Sequence, residues 1–242
     1  MARRQFGKLL RLVFTIVTLL PLIFAGCSGS ADASKSTDAR SVETTATHAE
    51  PQPVRAIARI VFLGDSLTAG LGLPREQAVP SLIQDRLRSE GFDYYEVVNA
   101  GVSGDTSAGG LSRMDWSLEG DVEILVVELG ANDGLRGLPV AQLRSNLDTI
   151  IKRARERDIT VVLTGMEAPP NYGLAYTSQF RQVYRDLADE YDVVFDPFFL
   201  EGVAGRPSLN NRDGIHPNAE GAKIIADRMW DVLEPLLEKH DR

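Results

Sequence analysis

An α/β/α sandwich built on a five-stranded parallel sheet is the fold this sequence predicts, and two patterns predict it. Five short runs rich in β-branched residues lack the apolar–polar alternation of a half-exposed strand, as strands buried on both faces should. Amphipathic helical stretches separate those runs in strict alternation, which sets successive strands parallel with helices on both faces of the sheet. The runs are ARIVFLG (58–64), YYEVVNA (94–100), VEILVVELG (122–130), ITVVLTGM (159–166) and DVVFDP (192–197). Helices are expected over Val79–Ser89, Ser107–Leu118, Val140–Arg157 and Gln179–Glu190, with Asn218–Glu238 closing a single domain that occupies residues 56–242.

The front of the chain has a different character. Arg3, Arg4, Lys8 and Arg11 flank LVFTIVTLLPLIFAG, an apolar stretch that ends in small residues just before Cys27. About 15 apolar residues are too few to span a bilayer, so residues 1–26 read as a secretory signal peptide. Cys27, the only cysteine, sits where a bacterial lipoprotein signal places the residue that is lipidated, with Phe24 at a position where leucine is usual. Residues 27–55 are rich in Ser, Thr, Ala, Asp and Glu without apolar periodicity, and they read as a disordered linker. Together these features predict export, a lipid anchor at Cys27, and a domain held off a membrane facing the periplasm or the exterior. Ser28 supplies no inner-membrane retention aspartate, so the outer membrane or cell surface is the expected address. The two arginines of ARRQFGK leave twin-arginine export open beside the general route.

The whole chain carries a net charge of −8. Four of its 26 basic residues lie in the signal, so the remainder sets 22 basic against 34 acidic side chains, a balance of −12. No basic stripe is present, which argues against a nucleic-acid partner and against docking on anionic lipid. Nothing demands more than a monomer, and no cofactor motif is seen. Gly70 and Gly72, for example, are not followed by the Gly-Lys-Ser/Thr of a phosphate loop.

In open parallel sheets, ligands bind beyond the carboxyl ends of the strands, near the switch in strand order. Asp65 and Ser66 follow the first strand, NAGVSGDT the second, GAND the third and APPNYG the fourth. Asp213 and His216 stand just before the last helix. Histidine is scarce: His48 falls in the linker and His240 near the end, so a general-base histidine in the domain is His216. Asp213, three residues earlier across a turn containing Gly214, is placed to reach its Nδ1. Ser66 on a strand-to-helix turn would expose its hydroxyl at the rim, and the G-D-S-L order differs from the G-x-S-x-G elbow. Gly104 before a helix N-terminus offers backbone N–H groups, and Asn132 offers a side-chain amide at the tip of the central strand. Read singly, each of these is also an ordinary turn or helix cap.

Taken in order, GDSLTAG, NAGVSGDT, GAND and DGIHP resemble the four sequence blocks of the SGNH (GDSL-type) hydrolases over essentially Ile60 to Leu236. VELGANDGLRG and PPNYG resemble in particular the branch of secreted acyl-thioesterases, lysophospholipases and arylesterases. The resemblance implies a flavodoxin-like sandwich and a serine esterase acting on acyl esters or thioesters through an acyl-enzyme. Its catalytic residues would be Ser66, Asp213 and His216, with an oxyanion hole from Ser66, Gly104 and Asn132. Apolar residues of the rim loops are expected to bind the acyl chain: Leu135, Leu138 and Pro139 after the third strand, and Pro169, Pro170 and Tyr172 after the fourth. Ala168 stands where that branch commonly has leucine.

Two other readings bear on the same rim. Asp65, Asp105, Asp133 and Asp213 could supply oxygen ligands to a metal-dependent phosphoesterase. A non-catalytic lipoprotein could use the cleft to hold lipid or glycan.

Overall fold

The strands form where the β-branched runs stand. The structure, a computed structural model, describes residues 57–240; the expected signal, linker and Cys27 lie outside them. Strands β1 (Ala58–Gly64), β2 (Tyr95–Gly101), β3 (Val122–Glu128), β4 (Thr160–Thr164) and β5 (Val194–Asp196) are all parallel, in the order β2-β1-β3-β4-β5. Ile60–Leu63 and Ile124–Val127 have no solvent exposure, as central strands covered on both faces require. The edge strand β2 is only half-buried along its middle.

The helices in chain order are α1 (Ser66–Ala69), α2 (Val79–Ser89), α3 (Ser107–Ser112), α4 (Met114–Ser117), α5 (Ala131–Leu135), α6 (Val140–Arg155), α7 (Leu174–Tyr191) and α8 (Ala219–His240). The chain steps one way from β1 to β2 and the opposite way from β2 onward. Because parallel crossovers are right-handed, the helix of the first step lies on one face and those of the later steps on the other. Accordingly α2 packs with α8, while α6 packs with α3 and α7. No helix among the described residues is long and apolar enough to cross a membrane.

Two elements depart from expectation. The stretch 107–118 is two helices, broken at Arg113, whose guanidinium bonds the Ala100 and Gly64 carbonyls at the ends of β2 and β1. Helix α7 begins at Leu174 rather than Gln179. Its first turn leaves Leu174 89% exposed, so no apolar stripe announces it. The edge of β2 is covered by a side chain rather than a strand. Gln84 donates to the Tyr95 carbonyl (3.1 Å) and accepts the Val97 N–H (2.7 Å), occupying groups that would otherwise template another chain.

The order 2-1-3-4-5 reverses direction between β1 and β3, so the crevice of the sheet opens where β1 and β3 end. Ser66 begins the helix after β1 and Asn132 lies in the helix after β3.

Candidate active site

The turn after β1 carries Ser66 at the first position of α1. Asp65 is its N-cap, and the Asp65 carboxylate accepts the Leu67 N–H at 3.0 Å. A cap in that place leaves Ser66 facing the rim, 9% exposed.

The histidine arrives from the far end of the chain. An antiparallel bridge between Asn210 and Pro217 closes the base of the loop 211–216, and the Asn211 N–H donates to the His216 carbonyl at 2.7 Å. Asn218 then caps α8 through the N–H groups of Glu220 and Gly221. Held in this way, His216 Nε2 stands 2.9 Å from Ser66 Oγ, and His216 Nδ1 stands 2.9 Å from Asp213 Oδ2. A carboxylate only accepts, so Nδ1 carries the ring proton and Nε2 keeps a lone pair for the serine hydroxyl. The three side chains therefore form a relay with donor and acceptor matched at each step.

Asp213 is 48% exposed, yet its charge is well supported. The backbone N–H groups of Ile215 and His216 and then the His216 ring lower its carboxyl to about 2. A depressed carboxylate contributes stability that is complete above its unfolded value and is lost as pH falls through its folded one. Thermal melts of wild type and Asp213→Asn should therefore differ most above about pH 4 and converge as pH falls toward 2. A gap that is constant down to that pH would contradict these bonds.

Asn132 reaches the same crevice because β3 turns sharply at Gly130, with φ +118°. A Cβ there would meet the Tyr184 hydroxyl at 2.0 Å, so only glycine fits. The Asn132 amide donates one hydrogen to Asp65 Oδ2 at 3.0 Å and retains a second. Burial, opposed chiefly by the Leu67 N–H and Asn132, lifts the Asp65 carboxyl to about 6. Asp65 thus caps the helix that begins at Ser66 with one oxygen and holds the Asn132 amide with the other.

Gly104 adopts φ +87° on the loop after β2, which the Val102 N–H ties to the Gly64 carbonyl (3.0 Å) at the end of β1. Its carbonyl accepts from Arg136 at 2.8 Å. No hydrogen bond among the described residues engages the N–H of Gly104 or of Ser66.

A cavity of about 310 Å³ opens beside Ser66, Asn132 and His216. Its apolar wall includes Leu135, Met166, Ala168, Pro169, Phe198 and Ile215. Of the six rim residues expected to bind an acyl chain, Leu135 and Pro169 line this cavity, and Leu138, Pro139, Pro170 and Tyr172 do not. Tyr172 instead donates to the Leu135 carbonyl (2.9 Å), and Leu138 accepts from the Tyr176 hydroxyl (2.8 Å). These bonds brace the end of α5, which carries Leu135, and the turn that follows it. The remaining wall was missed because Phe198 and Ile215 lie in loops without a repeating apolar pattern. Arg228 holds the first of these loops by donating to the Phe198 and Phe199 carbonyls.

The acids of the rim are engaged separately. Asp105 pairs with Arg113 at 2.6 Å, Asp133 accepts the Ser107 N–H and hydroxyl at 2.7 and 2.6 Å, and Asp65 and Asp213 are bonded as above. Among the described residues no group of three or more His, Cys, Asp or Glu side chains is arranged to hold a metal ion.

Comparison with known proteins finds the GDSL-like Lipase/Acylhydrolase family matching residues 62–224. Esterase TesA of Pseudomonas aeruginosa is 45% identical over 179 residues, covering 74% of this chain and 89% of that protein. Thioesterase 1/protease 1/lysophospholipase L1 of Escherichia coli K12 is 39% identical over 183 residues, covering 75% and 86%. A crystal structure of TesA aligns with TM-score 0.70 at 44% identity, covering 74% of this chain and 99% of that one.

Proposed function

The chain belongs to the GDSL-like lipase/acylhydrolase family, and from that premise we propose a serine esterase that cleaves acyl esters and thioesters through an acyl-enzyme at Ser66. The observation that carries this reading is the pair of 2.9 Å contacts joining Ser66, His216 and Asp213. Ser66 Oγ attacks the acyl carbonyl carbon while His216 Nε2 takes the hydroxyl proton, and Asp213 stabilises the imidazolium that results. The carbonyl oxygen becomes an oxyanion, received by the N–H groups of Ser66 and Gly104 and by the second Asn132 amide hydrogen. Collapse breaks the bond to the leaving oxygen or sulfur, and His216 returns its proton to it. Water, deprotonated by His216, then attacks the acyl-serine and releases the acid with Ser66 restored.

The apolar cavity beside the serine fits the acyl chain, with Leu135, Met166, Ala168, Phe198 and Ile215 against it. Labelling with a fluorophosphonate tests the assignment. One adduct on Ser66, found by peptide mass spectrometry and matched mole for mole by lost activity, is expected. Inactivation with the adduct on another residue would reject it.

The same reading takes residues 1–26 as an export signal and Cys27 as a lipid anchor, supported by the basic head, the short apolar stretch and the small residues before the cysteine. Expressed in a bacterial host, the protein should fractionate with membranes, and Cys27→Ala should move it to the soluble fraction with its esterase activity intact. Membrane association unchanged by Cys27→Ala would remove the anchor from the proposal.

A further inference from the structure

Glu128 ends β3, an otherwise apolar strand apart from Glu123, and has no solvent exposure. A carboxyl in such a place depends wholly on its protein partners. One oxygen, Oε2, accepts three bonds, all from the turn that carries Ser66. They come from the Asp65 N–H (3.2 Å), the Thr68 N–H (3.3 Å) and the Thr68 hydroxyl (2.8 Å). The Leu67 N–H goes to the Asp65 side chain and the Ala69 N–H to the Asp65 carbonyl. From Asp65 to Ala69, the N–H left without a hydrogen bond among the described residues is that of Ser66.

We propose that Glu128 is a positioning residue for hydrolysis: by accepting the N–H groups on both sides of Ser66, it holds the turn in the geometry that presents the Ser66 N–H to the substrate oxyanion. The proposal rests on the reading of Ser66 as nucleophile. The other buried acids at the strand ends have different partners. Asp133 holds the start of α3 through Ser107, and Asp196 pairs with Arg228. Of these three acids, Glu128 is the one that holds the backbone of the nucleophile turn, joining it to the end of β3. β1 leaves room for that grip by ending in glycine, since a Cβ on Gly64 would lie 2.0 Å from Thr68 Oγ1 and 2.7 Å from Glu128 Oε2.

What the turn needs from Glu128 is an acceptor. Burial, together with the nearby Asp65 charge, pushes the Glu128 carboxyl well up. Oε1 has no hydrogen-bond partner among the described residues, and all three bonds to the turn fall on Oε2. A neutral amide oxygen can fill the same role.

The test assays Glu128→Gln, Glu128→Met and Thr68→Val beside Ser66→Ala on a p-nitrophenyl acyl ester. The assays resolve kcat from KM, and circular dichroism checks folding. Glu128→Gln keeps the acceptor and should hold kcat within about threefold of wild type. Glu128→Met, nearly isosteric but without an acceptor, should lower kcat about a hundredfold with KM within about twofold, the signature of a weakened oxyanion donor. Thr68→Val, which gives up one of the three bonds, should lower kcat about three- to tenfold at constant KM. Folded Glu128→Met with wild-type kcat, or Glu128→Gln as impaired as Glu128→Met, would overturn the proposal. If Glu128→Met does not fold, wild-type kcat in Thr68→Val overturns it. Inactive Ser66→Ala beside fully active Glu128→Met sinks this proposal alone, whereas active Ser66→Ala sinks the nucleophile assignment and this proposal together.

Discussion

Ser66→Ala should reduce turnover of p-nitrophenyl acyl esters by about 10⁴–10⁶-fold while the protein stays folded, because the attacking atom is gone and nothing replaces it. The serine hydroxyl makes one side-chain hydrogen bond, to His216, so its removal leaves the Asp65 cap and the Glu128 contacts of the turn in place. Thermal melts should therefore differ by only a few degrees. His216→Ala should cost a similar amount, since a hydroxyl whose proton has no acceptor is a poor nucleophile at neutral pH. The double variant Ser66→Ala with His216→Ala should be no worse than either single change, because residues that act as a unit lose their effect together. Turnover at wild-type rate in folded Ser66→Ala, or additive losses in the double variant, would contradict a serine–histidine mechanism.

Asn132→Ala carries the next largest expectation, a fall in kcat of about 10²–10³ with KM nearly unchanged. In the proposed mechanism the second amide hydrogen meets the charged tetrahedral oxygen, so its loss should weaken the transition state more than substrate binding. The change has a second effect. Asn132 is one of the donors that oppose the burial of Asp65, so without it the Asp65 carboxyl should rise above its value of about 6. Steady-state kinetics at fixed pH, paired with a carboxyl NMR titration of Asp65, separates the two. A rise in KM with kcat preserved would reassign Asn132 to ground-state binding.

The parts of the molecule legible beforehand are those with a strong local cause. β1 and β3 stand where unbroken apolar runs demand burial on both faces, and α2 matches Val79–Ser89 because Pro80 and its apolar spacing mark both start and face. Ser66, Gly104, Asn132, Asp213 and His216 were legible as ordered blocks, and the structure sets Ser66, His216 and Asp213 in hydrogen-bonded sequence. The cavity wall was less legible. Phe198 and Ile215 reach it from irregular loops, whose placement depends on tertiary bonds such as those from Arg228 and the Asn210–Pro217 bridge. Tyr172 looked like a wall residue because it is aromatic and near the rim, but its ring packs with Tyr176 along α7 at 5.3 Å between centroids. Glu128 did leave a trace, a charge closing the VEILVV run, whose meaning depends on which turn lies above it.

The serine and its histidine are 150 residues apart in the chain. On the proposed mechanism, a polypeptide still leaving the ribosome holds the serine before its base has been made. The appearance of esterase activity during refolding should therefore report when the loop before α8 reaches the crevice and closes this 150-residue contact.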